Sequence, residues 1–198
     1  MSLGDIKTYP RKAQIEGGEI ELRLMGAKDE KAVAAFAKAL PVHDLLFLPR
    51  DITQAKVLKA WIAESERGGM TSLIAVKGKE VVGCAAIVTD PLSWSPHVGE
   101  IRVVTSSSVR GEGVGRVLTH AAFSLALSSG LEKLVVQMTV DQKGGIALFE
   151  GLGFKAEALL RDHVRDKSGK KHDIVVLGHD VAKVWSQMQA FGLPSAVG

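Results

Sequence analysis

The chain has 198 residues, 46% of them apolar and 24% charged, which suits one domain with a packed core and excludes a disordered chain. Its 25 basic and 22 acidic residues leave a net charge of +3, too balanced for nucleic acid or an anionic membrane as the main partner. The single cysteine, Cys84, excludes an internal disulfide framework and a cysteine-based zinc site. No His/Asp/Glu spacing suggests another metal.

In chain order, residues 1–18 read as an N-terminal extension without an apolar signal core, so a cytoplasmic protein is expected. Residues 19–24 (EIELRL) alternate polar and apolar, as a half-buried strand does. Asp29 is placed as a helix N-cap. After it Ala32, Val33, Phe36, Ala37 and Leu40 share one helical face until Pro41. A second helix is predicted from Thr53, with Val57, Leu58, Trp61 and Ile62 inward and Gly68-Gly69 at its end.

The period then shortens. Residues 71–76 and 81–88 are strand-like and joined by Lys77-Gly78-Lys79 as a hairpin turn. The apolar run at 81–88 is far shorter than the ~20 residues of a membrane-spanning helix. Residues 98–105 form another strand, and a glycine-rich loop follows. Val114, Val117, Leu118, Ala121, Ala122 and Leu125 then mark a helix capped by Gly130. Residues 134–140 read as a buried strand, and Ile146, Phe149 and Leu152 as a short helix ended by Gly153. Two last strands, 156–164 and 174–179, flank a turn at Lys167-Ser168-Gly169. This order predicts one α/β domain over 19–180, with a mixed sheet, and a C-terminal tail over 181–198.

The segment Arg110-Gly111-Glu112-Gly113-Val114-Gly115-Arg116 follows a strand and opens a helix. Its glycines let the backbone turn tightly and let a ligand approach closely. Amides of a first helical turn, with the helix dipole, suit a phosphate or pyrophosphate. Arg110 and Arg116 can add charge-assisted contacts. A glycine-rich turn with no ligand is the alternative on spacing alone. A P-loop is absent, because no GK[ST] follows. The dinucleotide fingerprint is broken by Arg116 at its sixth position.

Arg110, Gly113 and Gly115 fit the pattern Gln or Arg, two residues, Gly, one residue, Gly or Ala. Downstream, Gln142 to Phe154 (QKGGIALFEGLGF) puts a helix before a Gly-Phe pair that enters a strand. With these two signatures the chain resembles the GNAT superfamily of N-acetyltransferases, specifically over 98–180. The resemblance implies a mixed, mostly antiparallel sheet flanked by helices, and acetyl-CoA as acyl donor. It implies no metal cofactor and a possible homodimer.

By resemblance, strands 98–105 and 134–140 splay apart around the coenzyme. The pyrophosphate would rest on Gly111, Glu112, Gly113, Val114, Gly115 and Arg116. The pantetheine arm would pair with the backbone of Val103, Val104 and Thr105, as an added strand would. Gln142 would hydrogen-bond the coenzyme where the family usually has asparagine. Phe149 stands where the family commonly has the tyrosine that protonates the leaving thiolate.

The implied reaction moves an acetyl group to a primary amine of a small molecule, peptide or protein. An amine of pKa ~10.4 is about one-thousandth neutral near pH 7, so a base is valuable, typically by ~10²–10⁴ in rate. Glu100 is the first candidate, acting through water, with a salt bridge to Arg102 as its structural alternative. His163 is the second candidate, ahead of His97 and His172, since histidine titrates in the useful range. Two other functions remain open. A coenzyme-binding or regulatory module with weakened catalysis fits Phe149. A nucleotide-dependent oxidoreductase rests on the loop alone.

Other features have plainer readings. Arg161, Arg165, Lys167, Lys170 and Lys171 interleave with Asp162, Asp166 and Asp173, as on a solvated hairpin. Cys84, inside an apolar strand, reads as a buried structural thiol. Trp61 reads as core, and Trp94 as a pocket or dimer contact.

Overall fold

The computed structural model describes residues 6–181. An eight-stranded sheet runs β1 (Arg11–Ile15), β2 (Gly18–Leu24), β3 (Met70–Lys77), β4 (Glu80–Val88), β5 (Val98–Thr105), β6 (Lys133–Thr139), β8 (Lys171–Asp180), β7 (Lys155–Arg165). Every neighbouring pair is antiparallel except β5 and β6. The helices are α1 (Glu30–Ala39), α2 (Ala55–Glu66), α3 (Val114–Ser128) and α4 (Lys143–Gly151). This is the mixed sheet expected from the order of elements. The tail predicted over 181–198 lies, past Val181, outside the described residues.

Two cores sandwich the sheet. On one face α3 buries Val114, Leu118, Ala121, Ala122 and Leu125 against β3 to β6. Their spacing follows the helical repeat, so one stripe faces the sheet throughout. On the other face α1 and α2 bury Val33, Phe36, Ala37, Leu58 and Ile62 against Ile74, Cys84 and Val104. β5 serves both cores: Ile101 belongs to the α3 side and Val104 to the α1/α2 side. That alternation is the period-2 pattern of a strand buried on both faces.

Two local readings change. The segment 11–15, assigned above to an extension, is an edge strand paired with β2. No residue of RKAQI is fully buried, so hydrophobicity alone hardly marks it. The strand is held by backbone pairing, and Glu16 N–H donates to the Glu112 carbonyl at 3.0 Å. Asp29 does not cap α1 with its side chain. Its carboxylate is buried and instead accepts from Gly26 N–H at 3.0 Å and Arg23 Nη1 at 2.7 Å.

Candidate functional site

The three residue pairs joining β5 to β6 end at Glu100 and Val135. Beyond them β5 pairs with β4 through Gly83, Cys84 and Ala85, while β6 pairs with β8 through its end at Thr139. The edges of the two central strands therefore part. A cleft of about 730 Å³ opens there, between β5, the start of α3, the end of β6 and α4. Its position, at the C-terminal ends of two parallel strands, is where ligands collect in α/β sheets.

The glycine-rich loop forms one end of the cleft. Gly111 has φ +83° and Gly113 φ +92°, conformations that cost a side-chain-bearing residue ~1–2 kcal/mol. The left-handed turn at Gly113 starts α3. The first N–H of that helix recorded with a carbonyl partner is that of Val117, which donates to Gly113. Helix geometry leaves the amides before it, Val114 to Arg116, without intrahelical acceptors. With Gly111 and Gly113 they form a group of donors suited to an anion. Thr119, one turn further along α3, lines the same cleft. Its hydroxyl is fully buried and has no hydrogen-bond partner among the described residues, and a buried polar atom of this kind calls for a ligand or water.

A 3-10 turn at Val42–Leu45 lies over the cleft. His43 Nε2 is 2.8 Å from Asp141 Oδ2 and 3.4 Å from Thr139 Oγ1. The His43 ring stands edge-on to His172 with centroids 5.1 Å apart. His172 Nε2 is in turn 2.8 Å from Asp166 Oδ2. Burial pushes the Asp141 carboxyl up, but hydrogen bonds from Thr139 and its own backbone, with the nearby His43, outweigh it and hold the carboxyl low. Asp44, on the same turn, is ion-paired with Arg110 of the loop.

The GNAT acetyltransferase family model matches residues 41–154, more than half of the chain. The chain belongs to the GNAT acetyltransferase family. N-acetyltransferase 8F1 of Rattus norvegicus is 31% identical over 97 residues, 48% of this chain and 38% of that protein. N-acetyltransferase 8B of Mus musculus is 28% identical over 108 residues, 51% and 47%. The alignments thus span less than half of these curated relatives. Among solved structures, an N-acetyltransferase from Staphylococcus aureus Mu50 superposes with TM-score 0.72 at 18% identity, covering 82% of this chain and 98% of the other. The acetyltransferase yncA of Salmonella typhimurium, solved with its cofactor acetyl-CoA, gives 0.69 at 19%, with coverage of 82% and 94%. These likenesses show a shared GNAT fold.

Against that GNAT fold the expected site residues divide. Val103, Val104, Thr105, Arg110, Gly111, Gly113, Gly115, Arg116, Gln142 and Phe149 all line the cleft. Glu112 and Val114 do not. The Glu112 amide donates to Val109 O at 3.3 Å and its carboxylate meets Lys77 Nζ at 2.8 Å, so Glu112 ties the loop to the β3–β4 hairpin. The Val114 side chain is wholly buried in the α3 core. Phe149 is 4% exposed and packs edge-on against Phe154, 5.2 Å between centroids.

The two expected bases sit apart from the cleft lining. Glu100 Oε2 is 2.6 Å from Arg102 Nη2, on the last β5 residue paired with β6. His163 is exposed on β7, beside the irregularity between Leu160 and Val164 where Asp162 takes φ +52°. His97 is exposed before β5, and its carbonyl accepts from Glu132 and Lys133. His43, Asp44 and Asp141 were not singled out from sequence. Asp141 carried one usable signal, its place just past the end of a central strand. His43 carried none, because Asp141 lies 98 positions further along the chain.

Among the described residues no group of three His, Cys, Asp or Glu is placed to hold a metal. No helix among them is long and apolar enough to cross a membrane.

Proposed function

We propose that this chain is an acyl-CoA-dependent N-acyltransferase that moves an acetyl group from acetyl-CoA to a primary amine. The observation that carries this is the parting of β5 and β6 beside a helix start whose amides lack acceptors. The pyrophosphate rests on the amides of Gly111 and 113–116, with Arg110 and Arg116 at its edge. The pantetheine amides pair along Val103 to Thr105, where β5 has a free backbone edge. Thr119 and Gln142 offer further polar atoms on the cleft wall.

The amine nitrogen attacks the thioester carbon, the new C–N bond forms and the C–S bond breaks. One proton leaves the amine, and one is taken up by the coenzyme thiolate. A thiol of pKa ~8.5 is a fair leaving group without a strong acid, consistent with Phe149 in place of a tyrosine. Glu100 is proposed as the proton acceptor through water, with Arg102 holding its carboxylate in place at 2.6 Å. His43, oriented by Asp141, is the alternative base, and it has the advantage of lining the cleft. Replacing each separately by Glu100→Gln and His43→Asn distinguishes them: the true base takes the pH dependence of kcat with it.

Incubation with acetyl-CoA and a panel of amines, read by release of free CoA, tests the activity. Absence of release with every amine, together with no heat of acetyl-CoA binding, overturns the reading. Binding without release would instead favour a catalytically weakened regulatory module, the second reading, which the buried Phe149 ring, with no acidic proton to donate, supports. The expected homodimer belongs to the same proposal and is measured by light scattering.

A further inference from the structure

A second cavity, of about 620 Å³, lies on the opposite face of β5 from the α3 core, between α2, β4 and β5. Val104 lines both this cavity and the coenzyme cleft. Phe47 and Leu48, adjacent in sequence, line one each. The two spaces are thus neighbours near the C-terminal end of β5, where an acyl group and its acceptor would meet.

The walls of this second cavity are mainly apolar, with Ile52, Val57, Trp61 and Met70 among them. The Trp61 ring is fixed, because its Nε1 donates to Ser72 Oγ at 2.9 Å. Its charged lining is unbalanced. Arg50, Arg67 and Arg102 line it together with one carboxylate, Glu64. Glu64 is spoken for by Arg67 at 2.5 Å, and Arg102 by Glu100 at 2.6 Å. Arg50, exposed just before α2, has no hydrogen bond or ion pair recorded among the described residues. One guanidinium is therefore uncompensated beside an apolar chamber that abuts the coenzyme cleft.

Resting on the acyltransferase reading, we propose that this cavity holds the acceptor and that the acceptor is an amine bearing one carboxylate and an apolar body, an apolar α-amino acid in the simplest case. The carboxylate pairs with Arg50, for which a guanidinium is geometrically suited. The apolar body lies along Trp61 and Met70. The amine points to Val104 and the thioester.

The test compares leucine, methionine and phenylalanine with their carboxamides as acceptors, at saturating acetyl-CoA and with CoA release as the readout. A carboxamide has the less basic amine, so more of it is neutral, and a preference for the free acid cannot arise from amine basicity. The free acid is expected to have the higher kcat/KM by about tenfold or more, through a lower KM. Arg50→Gln is expected to bring that ratio close to one, and Arg50→Lys to keep part of it. Equal or better use of the carboxamides by the wild type, with CoA still released, overturns the acceptor class and leaves the acyltransferase reading standing. Where no acceptor turns over, calorimetry of the three amino acids with CoA-saturated protein decides. Saturable binding that Arg50→Gln removes supports the proposal, and no binding overturns it.

Discussion

Asp44 and Arg110, 66 residues apart, form an ion pair across the mouth of the cleft between β5 and β6. Arg110 is more than half exposed and Asp44 largely buried, so the pair is partly screened and worth at most ~1 kcal/mol. In this arrangement a carboxylate holds the guanidinium that adjoins the loop amides at the start of α3. A diphosphate bound there as proposed has to compete with it. Asp44→Asn is expected to tighten acetyl-CoA binding up to about fivefold, and Arg110→Gln to weaken it by about tenfold or more. Calorimetry at low salt reads both. Weaker binding by Asp44→Asn would mean that the carboxylate positions Arg110 rather than competing for it.

The loop glycines make separable demands. At Gly113, with φ +92°, a Cβ meets nothing within 4 Å, so only backbone strain opposes a side chain. Gly113→Ala is expected to lower stability by ~1–2 kcal/mol and to weaken coenzyme binding as the amides shift. Gly115 has ordinary helical backbone, and a Cβ there would sit 3.7 Å from Thr105 Cγ2, a normal contact. Gly115→Ala should keep the wild-type melting temperature and bind acetyl-CoA within a few-fold. Thermal melts and calorimetry on the two variants check the contrast, and equal damage from both would refute it.

His43 and Asp141 should behave as one unit. Each is in contact with the other at 2.8 Å, so the effects of His43→Ala and Asp141→Asn on kcat/KM should fall short of additivity. Residues in contact couple by ~0.5–3 kcal/mol, and the lower end applies at this exposed site. Additive losses in the double variant would show that the contact has no part in turnover.

Asp29 provides a pH-dependent element of stability. Burial raises its carboxyl pKa, but the hydrogen bonds from Arg23 and the Gly26 amide outweigh that and leave it below the ordinary value. The folded protein therefore binds this proton less readily than the unfolded chain. The contribution is complete above the unfolded pKa of ~3.9 and is lost as pH falls through the folded value. Asp29→Asn is expected to cost ~1.5–3 kcal/mol near neutral pH, the range for hydrogen bonds to a charged group. Against pH, the difference between wild type and variant should shrink below ~4. Denaturant melts at pH 7 and pH 3 measure it, and a constant difference would exclude the linkage.

How far the sequence could be read depends on how local the cause is. The helical stripe of α3, the alternation along β5 and the glycines at 111, 113 and 115 were visible because each depends on near neighbours in the chain. The edge strand β1 escaped notice because the pairing that defines it is made by backbone atoms, to which side-chain patterning is blind. Glu112 lay inside the legible motif, yet its carboxylate belongs to Lys77, a partner 35 residues away.

The amino-acid order by itself determined the mixed sheet with its flanking helices and the glycine-rich turn that opens α3, since propensity, periodicity and glycine conformation act over a few residues. Tertiary structure alone decided which charges meet: Asp44 with Arg110, His43 with Asp141, and Arg50 left over beside an apolar chamber. Electrostatic pairing depends on distance in space, and the fold sets that distance by bringing segments dozens of residues apart to the two sides of one strand.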